Sequence, residues 1–469
     1  MQIASQVVLA HLSPKMDEWS ERHGLSGVVL GTGKGGQTRD VTFFVTQVLE
    51  KARDNFNKGA LAVADIRKCH DELPWAAAFQ AAFQGALRRG ISKDDACAFL
   101  RLHRMPRILF EVDGRSTRIL QRTRGALTGS SSASAMARII IEDSLTLARP
   151  SFSNSFNLFG QVFDAMSWSD NLVCTGMCIS SASSNMKAWQ SVLCDVMNMD
   201  LKPDSFVLVP ARTRQAGGSC VVLDGCSWEV VDGCRCLGAW VSGTGKDRSE
   251  RTFLANCWSR MFWANCRVLT NRVASVSSRL RFWKSLVYGV SDHRFVGIRP
   301  CKSNLDALEA SSNKLLRSIV GARPSSDDSP ETFCIRRNKL ISTLKEECSF
   351  GIRKRFCYKI VTWVEHLWRH KESHLYKLLY IHDDCWLRTM RVLVNPSCAH
   401  GFYESGATRT RSGPGAPLRW GAGWLERLSA GGGGWENPSK CKRSSWDKAN
   451  ALYAMIFDGS SSRIARSEP

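Results

Sequence analysis

The chain has 469 residues, of which 43% are hydrophobic, and a formal net charge of +21 at pH 7. A chain of this length and apolar content can bury a core over most of its length and has room for about three domains. A globular protein with so large an excess of positive charge is expected to bind polyanions such as nucleic acid. A basic tail on an otherwise unrelated protein is the alternative explanation of the charge.

The eighteen cysteines do not indicate a small secreted protein stabilised by disulfides. The chain is long, and its first residues lack a charged segment followed by a long apolar one. No apolar run reaches the length of about 18 residues that a membrane span requires. Free thiols in the reducing nucleus or cytoplasm are therefore expected. The group Cys220, Cys226, Cys234 and Cys236 lacks the paired spacing of a structural zinc site.

Residues 1–60 are predicted to be mainly helical, with an apolar side along Val41–Leu49 and a charged side along Gln47–Asn57. Ahead of them, Gly31–Thr38 reads GTGKGGQT and suggests a phosphate-binding loop. The spacing of such a loop is not met, because Gly35 rather than Ser or Thr follows Lys34.

The next segment, Leu61–Leu73, reads LAVADIRKCHDEL. An apolar strand runs directly into Asp65, and a helix-like segment starts near Asp71. A carboxylate at the end of a buried strand is costly unless it is paired or bound to a metal. Asp65 is therefore a candidate ligand for a divalent metal, whereas Asp71 is expected to cap a helix or lie on the surface.

Helices are predicted over Trp75–Arg89 and Lys93–Leu102, and a strongly basic segment follows. Two strands, Ile108–Val112 and Ser116–Leu120, are expected to form a hairpin that turns at Asp113-Gly114. Arginines spaced along such a ribbon suit a phosphate backbone. A solvated charged edge that deters aggregation is the alternative. The candidate nucleic-acid-binding residues here are Arg115, Arg118, Arg122 and Arg124.

A Gly/Ser-rich loop that feeds a long helix occupies Arg122–Leu145, and an apolar hairpin occupies Gly160–Met177. Gly125 and Gly129 would let the loop backbone approach a base pair closely. The hairpin breaks at the polar residues Ser169-Asp170-Asn171, which puts one acidic side chain at its tip. Asp and Asn are common turn residues, so a hairpin of this kind by itself is usually only structural. Two acids from neighbouring strands would make an oxygen-ligand site for a divalent metal.

Beyond the hairpin the sequence predicts a helix over Asn185–Met197 and a strand over Phe206–Val209. Residues 250–390 are predicted to be helical, with aromatic and basic residues mixed. Such helices can follow nucleic acid, or they can be ordinary amphipathic helices whose tryptophans lie in the core.

Three histidines share one helix face at spacings of four residues: His366, His370 and His374. A metal would need a fourth ligand, for which Cys385 is the candidate, and a solvated or nucleic-acid-facing stripe is the alternative. After about residue 400 the composition shifts to Gly, Ser, Arg and Pro, which predicts a flexible tail with at most one short helix, Ser445–Phe457.

Taken in order, these motifs resemble the palm of the reverse transcriptases encoded by non-LTR retrotransposons. The segment ADIRKCHDEL resembles that family's first catalytic motif, D-I-x-K-A-F-D, and RGALTG resembles its template and nucleotide motif, R-G-x-x-Q-G. The tip WSDN resembles its catalytic hairpin, Y/F-A-D-D, and CLGAW resembles the L-G turn of its primer grip. The resemblance implies that Trp228–Val230 and Gly238–Val241 form the hairpin of that grip. LSGVVLGTGKGGQTRDV resembles a motif of its fingers region. The resemblance covers roughly residues 20–320.

The resemblance implies a role for each matching residue. Asp65 and Asp170, with the backbone carbonyl of Ile66, would hold Mg²⁺ or Mn²⁺ at the catalytic centre. Asn171 stands where the family has a second hairpin acid, so it is a catalytic candidate without a charge. The other implied contacts are to the nucleotide at His70, Gly125, Thr128 and Gly129, and to nucleic acid at Leu237 and Gly238.

His70 replaces the bulky aromatic residue that blocks a ribose 2′-hydroxyl in this family. Thr128 replaces the glutamine of the nucleotide motif, and Ser205 stands near the place of a frequent lysine. His70 affects the selection of the sugar. Thr128, Ser205, Asn171 and the short fingers favour lost activity, whereas the retained Asp65 and Asp170 favour some function.

The implied fold is α+β, with a palm made of an antiparallel sheet and packed helices, partial fingers and a helical thumb-like region. The expected boundaries are partial fingers at 1–60, palm at 61–245, thumb-like and connecting helices at 246–400, and tail at 401–469. The family has more chain ahead of its first motif, so part of the fingers is expected to be missing from the N-terminus.

The implied activity is RNA-directed DNA polymerisation, with an RNA template, a DNA primer and dNTPs as partners and no membrane. The alternative is a catalytically inactive retroelement relic that only binds nucleic acid. A third hypothesis is a basic scaffold protein unrelated to polymerases, in which Asp65 and Asp170 would not lie close together.

Overall fold

The computed structural model describes the chain in several stretches separated by gaps. These are residues 2–25, 28–30, 37–54, 58–67, 75–101, 107–108, 111–113, 115–116, 120–121, 131–158, 161–212, 218–223, 225–244, 247–298, 302–369, 446–447, 449–450 and 453. They fall into two compact units. Unit 1 holds the described residues of Met1–Leu237 and Val241–Gly245, and unit 2 holds Gly238–Trp240 and the described residues of Lys246–Lys371 and Tyr376–Pro469.

Unit 1 contains both helices and strands, and the expected α+β class is confirmed. Its helices are α1 (Gln2–Arg22), α2 (Thr38–Asp54), α3 (Trp75–Arg88), α4 (Lys93–Arg101), α5 (Ser131–Ala148) and α6 (Ile179–Met197). Its strands up to the central hairpin are β1 (Val29–Leu30), β2 (Ala60–Asp65), β3 (Arg107–Ile108), β4 (Glu111–Val112), β5 (Arg115–Ser116), β6 (Leu120–Gln121), β7 (Phe156–Leu158), β8 (Gln161–Phe163), β9 (Ala165–Trp168) and β10 (Asn171–Gly176). The later strands are β11 (Val207–Pro210), β12 (Ser219–Leu223), β13 (Cys226–Val230), β14 (Gly233–Cys236) and β15 (Ala239–Ser242), the last of which crosses the boundary between the units.

Seven of the described strands form one sheet in the order β1-β9-β10-β2-β11-β13-β12. Its middle is antiparallel, since β10 pairs with both β9 and β2, and β2 pairs with β11. The sheet as a whole is mixed rather than antiparallel throughout, because β1 runs parallel to β9 and β11 runs parallel to β13. The second parallel pair arises at the β12–β13 hairpin. Its second strand, β13, lies beside β11, and β12 lies at the edge of the sheet.

The central strand β2 owes its position to its composition. Ala60, Leu61, Ala62 and Ala64 are all buried, with at most 1% exposure. Small side chains let helices approach closely, and α6 packs on both β2 and β10 while α2 also packs on β2. Burial of the strand's apolar surface fixes it in the centre of the sheet, so Asp65 is held at the end of a rigid element.

A buried ionic cluster joins the helices behind the sheet. The Arg89 guanidinium is fully buried and pairs with Glu142 at 2.9 Å and Asp143 at 2.8 Å. It also lies 3.8 Å from the centre of the Trp19 ring, which brings α1 into the same cluster. Each carboxylate in such a cluster needs its partner, since an unpaired buried charge is strongly destabilising.

Two expected elements differ from the structure. Trp228–Val230 does not pair with Gly238–Val241: β13 pairs with β12 and β11, and it is β14 that pairs with β15. The helix predicted over Asn185–Met197 begins earlier, at Ile179, because Cys178 and Ser181 form a capping box there. In the basic ribbon, β4 and β5 pair around Asp113 as predicted, and β3 pairs with β6.

Unit 2 is helical in its described part. Its helices are α7 (Asp247–Ala264), α8 (Cys266–Leu269), α9 (Val276–Ser291), α10 (Lys302–Val320), α11 (Pro330–Glu347) and α12 (Ile352–Arg369). Trp258 and Trp283 are fully buried in its core, as the amphipathic-helix alternative expects. Trp263, on the same helix as Trp258, is instead 67% exposed. Among the described helices of both units, none combines the length and the apolar character that a membrane crossing demands.

Candidate active site

The candidate site lies where the middle strands β2 and β10 meet the β9–β10 turn. Asp65 is the last residue of β2 and Asn171 is the first residue of β10, and the two are direct partners in the antiparallel register. Directly opposed residues of an antiparallel pair project their side chains to the same face of the sheet. Asn171 therefore belongs to the strand and not to the turn, in contrast to the three-residue break predicted from the sequence.

The turn itself consists of Ser169 and Asp170. Ser169 has a φ of 52°, the left-handed conformation that a tight hairpin turn requires. The Asp170 carbonyl accepts a hydrogen bond from the Ile66 N–H at 2.8 Å, which attaches the turn to the end of β2. The Asn171 Nδ2 donates to Asp170 Oδ1 at 3.2 Å. The three residues predicted from separate motifs, Asp65, Asp170 and Asn171, are thus neighbours.

The backbone of Asp65 is held by the segment that follows α6. Its N–H donates to the Ser205 hydroxyl at 2.9 Å, and its carbonyl accepts from the Lys202 N–H at 2.8 Å. Ser205 in turn donates to the Lys202 carbonyl at 2.6 Å. This ring of hydrogen bonds fixes the strand end on the side away from β10, so the position of Asp65 is determined from both sides.

The side chain of Asp65 is half-buried, and its Oδ1 is buried without a hydrogen-bond partner in the described part of the chain. Burial raises the pKa of this carboxyl above its usual value, and the charges of Asp170 and Asp204 raise it further. The nearby Lys202 charge opposes them. The two carboxylates Asp65 and Asp170 thus repel each other across the site, and a cation between them would relieve that repulsion.

The donor set fits a divalent cation with oxygen ligands. Asp65 offers a buried carboxylate oxygen that has no partner among the described residues, Asp170 offers a second carboxylate, and the Ile66 carbonyl directly follows Asp65 in the chain. Mg²⁺ and Mn²⁺ prefer such ligands. Within the described residues no group of three or more His, Cys, Asp or Glu side chains is placed to hold a metal. Two carboxylates can neutralise one divalent cation but not two, because two divalent cations held close together repel each other strongly.

Two residues that hold or influence Asp65 were missed by sequence reasoning. Ser205 was considered only as a missing lysine, whereas its hydroxyl anchors the Asp65 N–H. Lys202 was not singled out, yet it is the positive charge that acts on Asp65. The available signal was the polar segment Lys202-Pro203-Asp204-Ser205 shortly before a strand, where Pro203 starts a short 3₁₀ turn.

Several of the remaining predicted site residues cannot be placed. The nucleotide candidates His70, Gly125, Thr128 and Gly129 lie outside the described residues, as do Arg118, Arg122 and Arg124. Arg115 lies in β5, where only the backbone is described.

Leu237 and Gly238 form a tight turn with φ values of 47° and 83°. The Arg294 guanidinium donates to the Gly238 carbonyl, and a Cβ at Gly238 would meet His293 Nε2 at 3.2 Å. This glycine is therefore required by the packing of unit 2 itself. Of the histidine stripe, His366 is buried, and His370, His374 and Cys385 lie outside the described residues.

Comparisons with known proteins assign no family. No protein-family model matches the chain, and no curated protein matches it. Among solved structures, the chain is similar to telomerase from Candida albicans, in a complex with the TWJ fragment of telomeric RNA, at 10% identity and a TM-score of 0.33. The similarity covers 77% of this chain, and the chain spans 56% of the length of that telomerase chain. A TM-score of this size assigns neither a fold family nor a function.

Proposed function

We propose that this chain is a nucleotidyltransferase of the reverse-transcriptase type, which extends a DNA primer on an RNA template. The observation that carries the proposal is the register of β2 and β10. It brings Asp65 and Asn171 opposite each other and puts Asp170 beside them. These are the residues that the resemblance to non-LTR reverse transcriptases singled out from two motifs about a hundred positions apart.

In this proposal Asp65 and Asp170, with the Ile66 carbonyl, hold Mg²⁺ or Mn²⁺. A cation there supplies stabilisation of the negative charge that develops on the attacking and leaving oxygens of nucleotidyl transfer. The chain's own residues prepare the site. Ser205 and Lys202 fix the backbone of Asp65, and the Lys202 charge favours its ionised form.

Asn171 contributes a neutral amide where a third carboxylate would stand. Its Nδ2 donates to Asp170 Oδ1, so it orients that carboxylate but adds no charge to a second cation site. The proposal therefore includes an activity below that of a site with three carboxylates. The contacts of His70, Gly125, Thr128 and Gly129 with the incoming dNTP are part of the same proposal.

A second candidate function, nucleic-acid binding without catalysis, is favoured by the charge of unit 2. Residues 251–291 contain no Asp or Glu but include Arg251, Arg260, Arg267, Arg272, Arg279, Arg281 and Lys284. Arg279 is buried and donates to the Leu269 carbonyl, which gives it a structural role. The same stretch of chain includes Trp263 and Phe282, whose side chains are exposed. An exposed basic surface with aromatic residues suits single-stranded nucleic acid.

Primer extension tests both candidates. A poly(rA)/oligo(dT) substrate with Mg²⁺ or Mn²⁺ is offered to the native chain, Asp170→Ala and Asn171→Asp. Asp94→Ala is the control, because this exposed acid lies in the first turn of α4, a helix that supplies no residue to the candidate site. We expect extension by the native chain and the control, none by Asp170→Ala, and more by Asn171→Asp.

If no variant extends the primer and the native chain still binds the duplex with a steep salt dependence, the nucleic-acid-binding function replaces the enzymatic one. Equal extension by Asp170→Ala and the native chain would instead show that this site does not perform the reaction.

A further inference from the structure

Unit 2 contains a cleft that neither proposed function uses. It has a volume of about 720 Å³ and lies between α9, α10, α11, the start of α12 and residues of the 446–453 segment. Cavities that bind small ligands typically measure about 300–1,000 Å³, so the cleft is large enough for one nucleotide.

The cationic side of the cleft is the start of α12. This 18-residue helix has no acid in its first turn and instead carries Arg353, Lys354 and Arg355 there, all of which line the cleft. Cations at a helix N-terminus oppose the helix dipole, whereas anions are favoured there. An anion in the cleft would therefore compensate both the helix terminus and the three side chains.

The charges of the cleft are only partly neutralised. Arg355 forms a bidentate pair with Asp292, with contacts of 3.0 and 2.6 Å, and Arg353 pairs with Asp306 at 2.8 Å. Lys354 is exposed and has no carboxylate partner within the described residues. Two acids, Glu309 and Glu346, also line the cleft. Glu309 contacts Lys345, so Glu346 is the acid that an entering anion would have to avoid.

Positive charge is also crowded around Lys345, another residue that lines the cleft. Lys345 contacts Glu309, yet burial and the neighbouring Arg353 charge lower the pKa of Lys345 to about 8. Lys345 and Arg353 both line the cleft. A phosphate near these groups would favour the charged form of the lysine.

The aromatic side of the cleft is Trp446. One face of its indole stacks on Tyr358, with ring centres 4.2 Å apart and an angle of 18° between the planes. Trp446 nevertheless remains 45% exposed and lines the cleft. An exposed indole that is already supported from behind is a rigid platform for a base.

We propose that this cleft binds one nucleotide unit, with its base stacked on Trp446 and its phosphate at the first turn of α12 beside Lys354. The same chemistry is offered by a free nucleoside phosphate and by one nucleotide of a single strand. The inference does not depend on the polymerase proposal, because it involves neither Asp65 nor Asp170.

Equilibrium binding to the full chain tests the inference with two probes. Adenosine 5′-monophosphate is titrated by calorimetry, and a 5′-labelled ten-nucleotide oligo(rA) is titrated by fluorescence anisotropy. Trp446→Ala is expected to weaken the binding of at least one probe by about fivefold or more, since base stacking on an aromatic residue is a substantial part of such affinities. Trp446→Phe, which keeps a stacking surface, is expected to restore most of it.

Lys354→Gln supplies a second readout that does not involve the aromatic platform. For the oligonucleotide, it is expected to reduce the slope of log affinity against log salt by about 0.7, the value for one lost phosphate contact on a single strand. Lys339→Gln is the matched control, an exposed lysine on α11 that does not line the cleft. Lys339→Gln is expected to change neither the salt slope for the oligonucleotide nor the affinity for the monophosphate.

The two probes also separate the sources of the ligand. An effect of Trp446→Ala on the monophosphate identifies a free nucleotide, and an effect on the oligonucleotide alone identifies a strand. Unchanged affinity of both probes in Trp446→Ala and Lys354→Gln overturns the inference. Asp170→Ala is expected to leave these affinities unchanged even if it abolishes primer extension, so failure of the two proposals can be told apart.

Discussion

Replacing Asn171 with aspartate is the sharpest test of the electrostatics at the candidate site. The new carboxylate would stand opposite Asp65 in the strand register and next to Asp170 in the chain. Opposed Cβ atoms in an antiparallel pair are about 4.5–5.5 Å apart. At about 5 Å and an effective dielectric constant of about 20, two like charges repel by about 3 kcal/mol.

The repulsion is smaller in practice because all three side chains are only half-buried. The substitution also removes the hydrogen bond from Asn171 Nδ2 to Asp170, worth about 1 kcal/mol. Without metal, Asn171→Asp should therefore destabilise the strand ends by about 2–3 kcal/mol, an estimate that rests on the Coulomb and hydrogen-bond values together. A divalent cation should reverse this loss, because three carboxylates bind it more tightly than two. At a concentration of about 100 times its Kd, a bound ligand adds about 2.7 kcal/mol.

Hydrogen–deuterium exchange of peptides that cover Ala60–Asp65 and Asn171–Gly176 measures this locally, which suits a chain with two units. In EDTA we expect faster exchange in Asn171→Asp than in the native chain, by about tenfold or more, since about 1.4 kcal/mol corresponds to tenfold. Mg²⁺ should slow exchange more in the variant than in the native chain.

The matched control is Asn154→Asp, an exposed position beyond the opposite end of β10. Equal exchange of Asn171→Asp and the native chain in EDTA would refute the reasoning. So would a Mg²⁺ effect of the same size in the native chain, Asn171→Asp and the control.

Three further predictions concern single groups. Because the pKa of Asp65 is raised, Asp65 retains its proton in the folded chain at pH values above 3.8, so the affinity for Mg²⁺ should rise with pH until Asp65 is ionised. Without metal, the contribution of Asp65 to stability is complete below pH 3.8 and falls as the pH rises through the raised pKa. Calorimetric titration at several pH values checks the first part, and a pH-independent affinity contradicts it. Ser205→Ala should destabilise the end of β2 by about 1–3 kcal/mol, the cost of an N–H left without an acceptor, whereas Ser205→Thr should not; exchange of the β2 peptide distinguishes them. Hydrogen bonds from Ser180 and Ser181 lower the pKa of Cys178 to about 7, so at pH 7.5 iodoacetamide should modify Cys178 faster than the exposed Cys334, and equal rates by mass spectrometry would show otherwise.

The sequence by itself determined the elements whose signals are local. The helices α3 and α4 follow the predicted ranges to within a residue, because apolar periodicity and flanking polar residues define them. The turn after Trp168 was recognised from its polar residues, and Asp65 was recognised as the residue that ends a short apolar strand. Each of these depends on neighbours a few positions away in the chain.

Tertiary structure alone decided which of these elements meet. The pairing of Asp65 with Asn171, the contact of Ser205 with the Asp65 N–H and the position of Lys202 join segments separated by about 100 residues or more. Such register depends on the packing of the whole sheet, and a shift of one residue would turn every side chain of the strand to the other face.

Tertiary packing also decides the different exposure of two tryptophans in unit 2. Trp258 and Trp263 lie on one helix and are alike in composition, yet one is fully buried and the other is exposed. The outcome depends on which face of α7 is covered by its neighbours. Trp258 donates to Ser291 of α9 at 2.8 Å, a contact that the helix's own periodicity does not specify. Helical pattern fixes where a helix forms, and the packing of helices decides which of its side chains remain available to bind a partner.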